Sequence, residues 1–204
     1  IVDEAAAAKA PAGSDQQLIG DYYSSFMDEA KIEQLGLKPL QPELDRIAAI
    51  KDRKQLLDYL GRTQLIGLQS PIAAAIQPDA KRPDMYTVWA DQSGLGMPDR
   101  DYYLKEEPRF QEARERYRVH VAHVIELGGK SRAESRRMAE AVIRMERQLA
   151  LGTLDNVARR DPKATDHKTT LVELTNLAPN FDWPGYFAGA KVPTAALNVQ
   201  QPEF

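Results

Sequence analysis

A chain of 204 residues with 43% hydrophobic and 28% charged side chains is long enough to bury a core without covalent staples. It holds no cysteine, which excludes disulfides, thiolate metal sites and cysteine nucleophiles. With 27 basic against 30 acidic side chains the net charge is −3, so no global basic field draws it to nucleic acid, and no apolar run approaches the roughly 20 residues that span a bilayer.

Ile1 opens the chain, the first methionine is Met27, and Leu197–Phe204 reads as extended chain entering another element. A piece of a longer protein is therefore expected, with any signal segment or lipid anchor lying upstream. Residues 3–13 are alanine-rich and broken by Pro11 and Gly13, consistent with either a helix end or an ordered arm. We divide the chain into this entering stretch, 1–17, and a helical portion, 18–204.

Ser14 is placed to cap a helix carrying Leu18, Tyr22 and Phe26 at i, i+4, i+8. Asp28 caps a short helix with Ile32 and Leu35, closed by Gly36. After Pro42, apolar residues at Leu44, Ile47, Leu56, Leu57 and Leu60 recur at helical spacing, and Gly61 is expected to break or bend the stretch. Pro71–Ile76 fits a helical turn or a strand equally. Met85–Ala90 is β-branched and aromatic between Pro83 and Gly94, and predicts a strand. A turn-rich connection, Gly94–Tyr103, leads to the strongest helical pattern. Pro108 opens it, Phe110, Ala113, Tyr117, Val121 and Val124 form its stripe, and Gly128-Gly129 ends it. Ser131-x-x-Glu134 is a capping box for a helix over 132–151 striped by Met138, Val142, Met145 and Leu149. Thr170-x-x-Glu173 is a second box, and Asp182-Trp183-Pro184 starts a last short helix. The fold class read from these patterns is mainly α with one short β element.

Few constellations in the chain suggest chemistry. His120, His123 and Glu126 share one helix face, but a zincin helix spaces its histidines at i, i+4 with a glutamate after the first. Surface histidines are the simpler reading. His167 lies in a polar stretch with no evident acid–base partner. Arg132, Arg136, Arg137, Arg144 and Arg147 alternate with Glu134, Glu140 and Glu146, which reads as an ion-paired surface rather than an anion or nucleic-acid site. Gly94-Leu95-Gly96 lacks the third glycine and the following helix of a dinucleotide loop. Asp99 and Asp101 flank Arg100, whose guanidinium has the fork to pin them or a backbone carbonyl. No Ser/His/Asp order and no phosphate loop is present.

Several strings are nonetheless distinctive. Tyr22-Tyr23-Ser24-Ser25-Phe26-Met27-Asp28 with Ile32-Glu33, Leu35-Gly36 and Pro39-Leu40 resembles a segment of the neprilysin-like M13 zinc metallopeptidases. Asp91-Gln92-Ser93-Gly94-Leu95-Gly96-Met97-Pro98-Asp99-Arg100-Asp101-Tyr102-Tyr103-Leu104 is similar to that family's "D-Q-x-G-L-x-L-P-D-R-D-Y-Y" signature, with Met97 for the usual leucine. Arg160-Asp161-Pro162, Leu174, Pro179, Phe181-Asp182-Trp183 and Val199–Phe204 match further on, so the resemblance covers about residues 18 to 204.

The resemblance implies the helical N-terminal lid lobe of a two-lobed metallopeptidase, the part that roofs the active-site cavity and restricts substrate size. It implies zinc in the full-length protein, a glutamate general base, peptide substrates, and a catalytic lobe beyond residue 204 as the lid's partner. No catalytic or metal residue carries over to this chain, and the fragment alone is expected to be inactive and metal-free. Gly94, Pro98, Asp99, Arg100, Asp101, Tyr102 and Tyr103 are implied to be structural. Phe26 stands where animal members have cysteine, which fits a bacterial member in the periplasm or cell envelope. Asp166 replaces a tyrosine of many relatives. The alternative reading is a free-standing helical interaction module without peptidase activity.

Overall fold

In the computed structural model, which describes residues 1–194 and 196–204, local capping signals set most helix starts. Two compact units result, Ile1–Ala49 and Ile50–Phe204.

The first unit holds α1 (Val2–Ala7), α2 (Asp15–Met27), α3 (Glu29–Leu35) and α4 (Gln41–Ala48). The Ser14 hydroxyl accepts from Gln17 N at the start of α2, and the Asp28 carboxylate accepts from Lys31 N at 3.0 Å at the start of α3. Gly36 closes α3 with φ +52°, a conformation that favours glycine. α1 crosses α2 at Gly20, where an added Cβ would stand 2.4 Å from the Ala5 carbonyl oxygen. The expected stripe does not form a core: Leu18, Tyr22 and Phe26 are 57%, 77% and 71% exposed.

The second unit is a small sheet flanked by helices. Its elements are α5 (Arg53–Thr63), β1 (Ile72–Pro78), β2 (Tyr86–Gln92), α6 (Asp101–Leu104), α7 (Pro108–Leu127), α8 (Arg132–Gly152), α9 (Pro162–Thr165), β3 (His167–Thr169), α10 (Leu171–Leu177), α11 (Trp183–Ala190) and β4 (Leu197–Val199). Both capping boxes form, at Ser131/Glu134 and Thr170/Glu173. The mainly α class holds, while the β part extends beyond the single strand expected at Met85–Ala90. The sheet order is β1-β2-β4-β3, antiparallel except for the parallel β2–β4 pair, in which Val88 faces Leu197 and Ala90 faces Val199. The segment left open at Pro71–Ile76 is the edge strand β1, and the extended run at the C-terminus supplies β4.

Gly61 neither breaks nor bends α5. It lies inside the helix, where an added Cβ would be 2.2 Å from the Tyr186 carbonyl oxygen, and a Cβ added at Gly189 of α11 would be 2.9 Å from the Asp58 carbonyl oxygen. The two glycines let α5 and α11 meet backbone to backbone. This brings α11 against the sheet, where Val88, Leu174, Trp183, Tyr186, Phe187, Leu197 and Val199 form the main core. Trp183 stacks on Phe187 at 5.9 Å between centroids, and Tyr186 meets the ring of Phe187 edge-on.

The β1–β2 turn carries a charge cluster that explains Asp166. Lys168 on β3 pairs with Asp79 and lies 3.4 Å from Asp166, Lys81 reaches Asp166 at 2.9 Å, and both carboxylates are nearly buried. The Lys168 hydrogen bond, followed by the Lys81 backbone N–H, depresses the Asp79 carboxyl to about 2 against the opposing effect of burial. The Lys81 hydrogen bond lowers Asp166 in the same direction. A depressed folded-state value adds stability above the unfolded carboxyl value, and that stability is lost as pH falls through the folded value. Melting temperature should therefore fall between about pH 4 and pH 2. Asp79→Asn should flatten that limb; an unchanged slope would show that the pair contributes nothing.

Candidate functional site

The segment 91–104 follows directly from β2 and is held by side chains far away in sequence. Asp91 and Gln92 end the strand. Gly94 has φ +77° and approaches the Ser70–Pro71 backbone, which excludes a side chain there. At Gly96 an added Cβ would fall 1.9 Å from the Tyr117 hydroxyl, so a side chain there would displace the Tyr117 phenol from its place against the loop.

Tyr103, 1% exposed, closes the loop on itself. Its hydroxyl accepts from Met97 N at 2.9 Å and donates to Glu146 Oε2 at 2.7 Å. The Tyr117 hydroxyl donates to the other oxygen, Oε1, at 3.0 Å. A buried carboxylate on α8 thus accepts two phenols, one from the loop and one from α7. Burial, and then the hydrogen bond to Glu146, drives the Tyr103 phenol well above its ordinary value; burial and the Glu146 charge push Tyr117 up to about 12.

Arg100 donates to the carbonyl oxygen of Thr153, one residue past the end of α8. Asp99 accepts from Asp101 N at 2.8 Å and from the Asn156 amide at 2.9 Å, while Asp101 pairs with Lys105 at 2.8 Å. The two aspartates therefore do not bridge Arg100; each has its own partner. Tyr102 packs edge-on to Phe110 at 5.2 Å, and its carbonyl accepts from Arg114 of α7. Pro98 lies at the rim of a polar cavity of about 200 Å³ that Ser93, Gly94, Asp99, Arg100, Thr153 and Arg159 help to line.

The C-terminal segment joins the same junction. Gln201 donates from its amide to Asp91 Oδ1 at 2.7 Å and accepts from Leu154 N at 2.6 Å, and Arg159 reaches Asp91 Oδ2 at 3.2 Å. Chemically this is a clamp. Asp99, Arg100 and Arg159, the ionised side chains that line the polar cavity among the described residues, are each engaged with a carbonyl, an amide or an opposite charge.

The other candidates lie elsewhere. His120, His123 and Glu126 are exposed on α7; His123 and Glu126 line a cleft of about 490 Å³ between α7 and α8. Among the described residues no group of three or more histidines, aspartates or glutamates is placed to hold a metal ion. His167 lies on β3 with Nδ1 3.0 Å from the Val199 carbonyl oxygen. The arginine-rich helix α8 is not the self-paired surface its spacing suggests. Glu134 serves the capping box, Glu140 pairs with Arg118 of α7 at 3.0 Å, and Glu146 is buried. The part that Glu146, Tyr117 and Gln201 play in holding the loop escapes a sequence reading, which places them in an ion-paired surface, a helix stripe and a matched terminal string. The one local signal is that Glu146 falls in the buried series Ser135, Ala139, Ile143, Glu146, Ala150, spaced by three or four residues.

Known proteins share this architecture and sequence. The chain is similar to human endothelin-converting enzyme 1, 31% identical over 176 residues that cover 79% of this chain and 22% of that enzyme. It superposes on Mycobacterium tuberculosis zinc metalloprotease Zmp1 in complex with an inhibitor with a TM-score of 0.89 and 31% identity, covering 99% of this chain and 31% of that one. PepO from Lactobacillus rhamnosis, at 18% identity and TM-score 0.77, shares the fold. The chain thus spans about a fifth of its curated relatives' length and about a third of the solved chains. A family model for the N-terminal part of peptidase family M13 matches residues 1–204. With that model matching from end to end and relatives of that family at 31% identity over 79% of the chain, the chain belongs to peptidase family M13.

Proposed function

We propose that this chain is the non-catalytic N-terminal part of a zinc-dependent metalloendopeptidase, which roofs the active-site cavity of the full protein and restricts the size of the peptides admitted. The observation that carries this reading is the clamp itself. In the family's most distinctive segment Tyr103 holds the loop to Glu146 of α8, Arg100 holds it to the Thr153 carbonyl just past that helix, Asp99 accepts from Asp101 N and Asn156, and Asp101 pairs with Lys105, so each of these side chains has a partner within the chain's own structure. Family membership supplies the peptidase class; zinc and the groups that activate water belong, on this reading, to the rest of the protein. Gly94, Pro98 and Tyr102 are read as structural with their neighbours. The periplasm or cell envelope is the proposed location; among the described residues no helix is long and apolar enough to cross a membrane.

A quenched fluorescent peptide offered to this chain and to the full-length protein tests the reading. We expect no turnover by the chain, and chelator-sensitive turnover by the full protein that declines as the peptide is lengthened or folded. Turnover by the chain alone overturns the lid role. Chelator-insensitive turnover by the full protein overturns the zinc assignment.

A further inference from the structure

The Ile1–Ala49 unit has helices but no core of its own. Only Ala5 and Gly20 in it are buried, and every leucine, isoleucine, phenylalanine and tyrosine is exposed or half-buried. Its α-helices have 6, 13, 7 and 8 residues, and none exceeds the roughly 12–15 below which an isolated helix is marginal in water. A unit this small needs a buried core or covalent staples, and the chain has no cysteine. The apolar side chains are nonetheless ordered on one face. At about 100° per residue, Gly20 points to the side of α2 that meets α1, and Leu18, Tyr22 and Phe26 point roughly opposite. Tyr22 and Phe26, 77% and 71% exposed, together open on the order of 300 Å² of apolar surface, as much as the largest patch on many monomers. The unit is also acidic, with nine carboxylates against four basic side chains, and Asp15, Asp21 and Asp28 stand along α2 and at its end.

We propose that the Leu18–Tyr22–Phe26 face of α2 is the docking surface for the remainder of the same protein, the part expected beyond residue 204, and that its cover is an apolar stripe rimmed by lysine or arginine. The chain superposes over 99% of its length on a Zmp1 chain of which it covers 31%. The same helices therefore stand in a longer protein, and a unit without a core takes the burial that holds it from outside itself. Charge complementarity sets the basic rim. A second copy fits poorly, because a two-fold contact through this face would bring Asp21, midway along α2, against its own copy. On this reading the remainder supplies the core that the first unit lacks.

The inference rests on family membership and not on the lid role, and its test needs no turnover. Carbene footprinting of the full-length protein, read by peptide mass spectrometry, compares the native with the denatured state. We expect residues 18–27 to be labelled at least roughly fivefold less in the native state, as Tyr22 and Phe26 pass from mostly exposed to buried. A photoreactive p-benzoylphenylalanine in place of Phe26, or of Leu18 should the first variant misfold, then reports what lies on the face. In a mixture of light and heavy full-length protein its cross-links should stay within one chain and fall beyond residue 204. Asp21→Lys should raise the native labelling of residues 18–27 at least roughly twofold by opposing like charges. Native labelling close to the denatured level overturns the proposal. So does a cross-link between light and heavy chains, which makes a second copy the occupant, or one confined to residues 1–204, which makes this chain its own cover. Labelling unchanged by Asp21→Lys overturns the basic rim.

Discussion

Glu146→Ala should destabilise the Ile50–Phe204 unit by about 3–5 kcal/mol, because it strands the buried Tyr103 phenol and the half-buried Tyr117 phenol and leaves a cavity between the loop and α7. Tyr103→Phe, which keeps the ring and removes one hydroxyl, should cost about 2–3 kcal/mol by leaving Met97 N–H and one Glu146 oxygen without their partner. The two substitutions touch one hydrogen bond, so their effects should fall short of additive by roughly 1–2 kcal/mol in a double-mutant cycle measured by denaturant unfolding. Strict additivity would mean that the contact contributes nothing to stability. The raised phenols add a pH signature. A folded-state value above the unfolded one gives stability that is complete below about pH 10 and is lost as pH rises. For Tyr117 that loss runs up to about 12. Tyr117→Phe should remove part of the alkaline decline in melting temperature.

Gly61→Ala is expected to be the second large effect, and its sign runs against helix propensity. Alanine in an exposed helix interior gains about 1 kcal/mol over glycine. Here the new methyl would lie 2.2 Å from the Tyr186 carbonyl oxygen and 3.1 Å from Ala190 N, both backbone atoms that move only if α11 moves. Parting the helices displaces Tyr186, which is fully buried and hydrogen-bonded to the Ile72 carbonyl. Overpacking costs about 1–3 kcal/mol, occasionally more, and we place the net loss near 2 kcal/mol. At roughly 2–4 °C per kcal/mol for a chain of this size, calorimetry should show a melting temperature lower by about 4–8 °C. A rise would show that α5 and α11 separate freely.

These two sites differ in how visible they are in sequence, and the difference is physical. Helix starts were legible because a cap is a local event: Ser14, Asp28, Ser131 and Asp182 each accept from an N–H three residues on. The signature segment 91–104 was legible as a pattern but not as a clamp, since its partners lie far along the chain, with Tyr103 bound to Glu146 and Asp91 to Gln201. Glu146 was hidden by composition, one of three glutamates among arginines on α8, and its burial shows only once α7 and the loop are in place. β3 and β4 have three residues each, too few for alternation to register, and they exist because His167 and Thr169 find Val199 and Leu197. Gly61 read as a breaker because a glycine that admits a neighbouring backbone and one that ends a helix look alike until the neighbour is known.

The strand order has a consequence for synthesis on the ribosome. β4 sits between β2 and β3 yet is the last strand to be made, so Val88 and Ala90 leave the ribosome about 110 residues before their partners Leu197 and Val199. At roughly 5–20 residues per second, the nascent chain carries an incomplete sheet for about 5–20 s. The α7–α8 hairpin, whose contacts are local, is free to assemble during that interval, while the apolar faces awaiting β4 are the surface a chaperone would meet first.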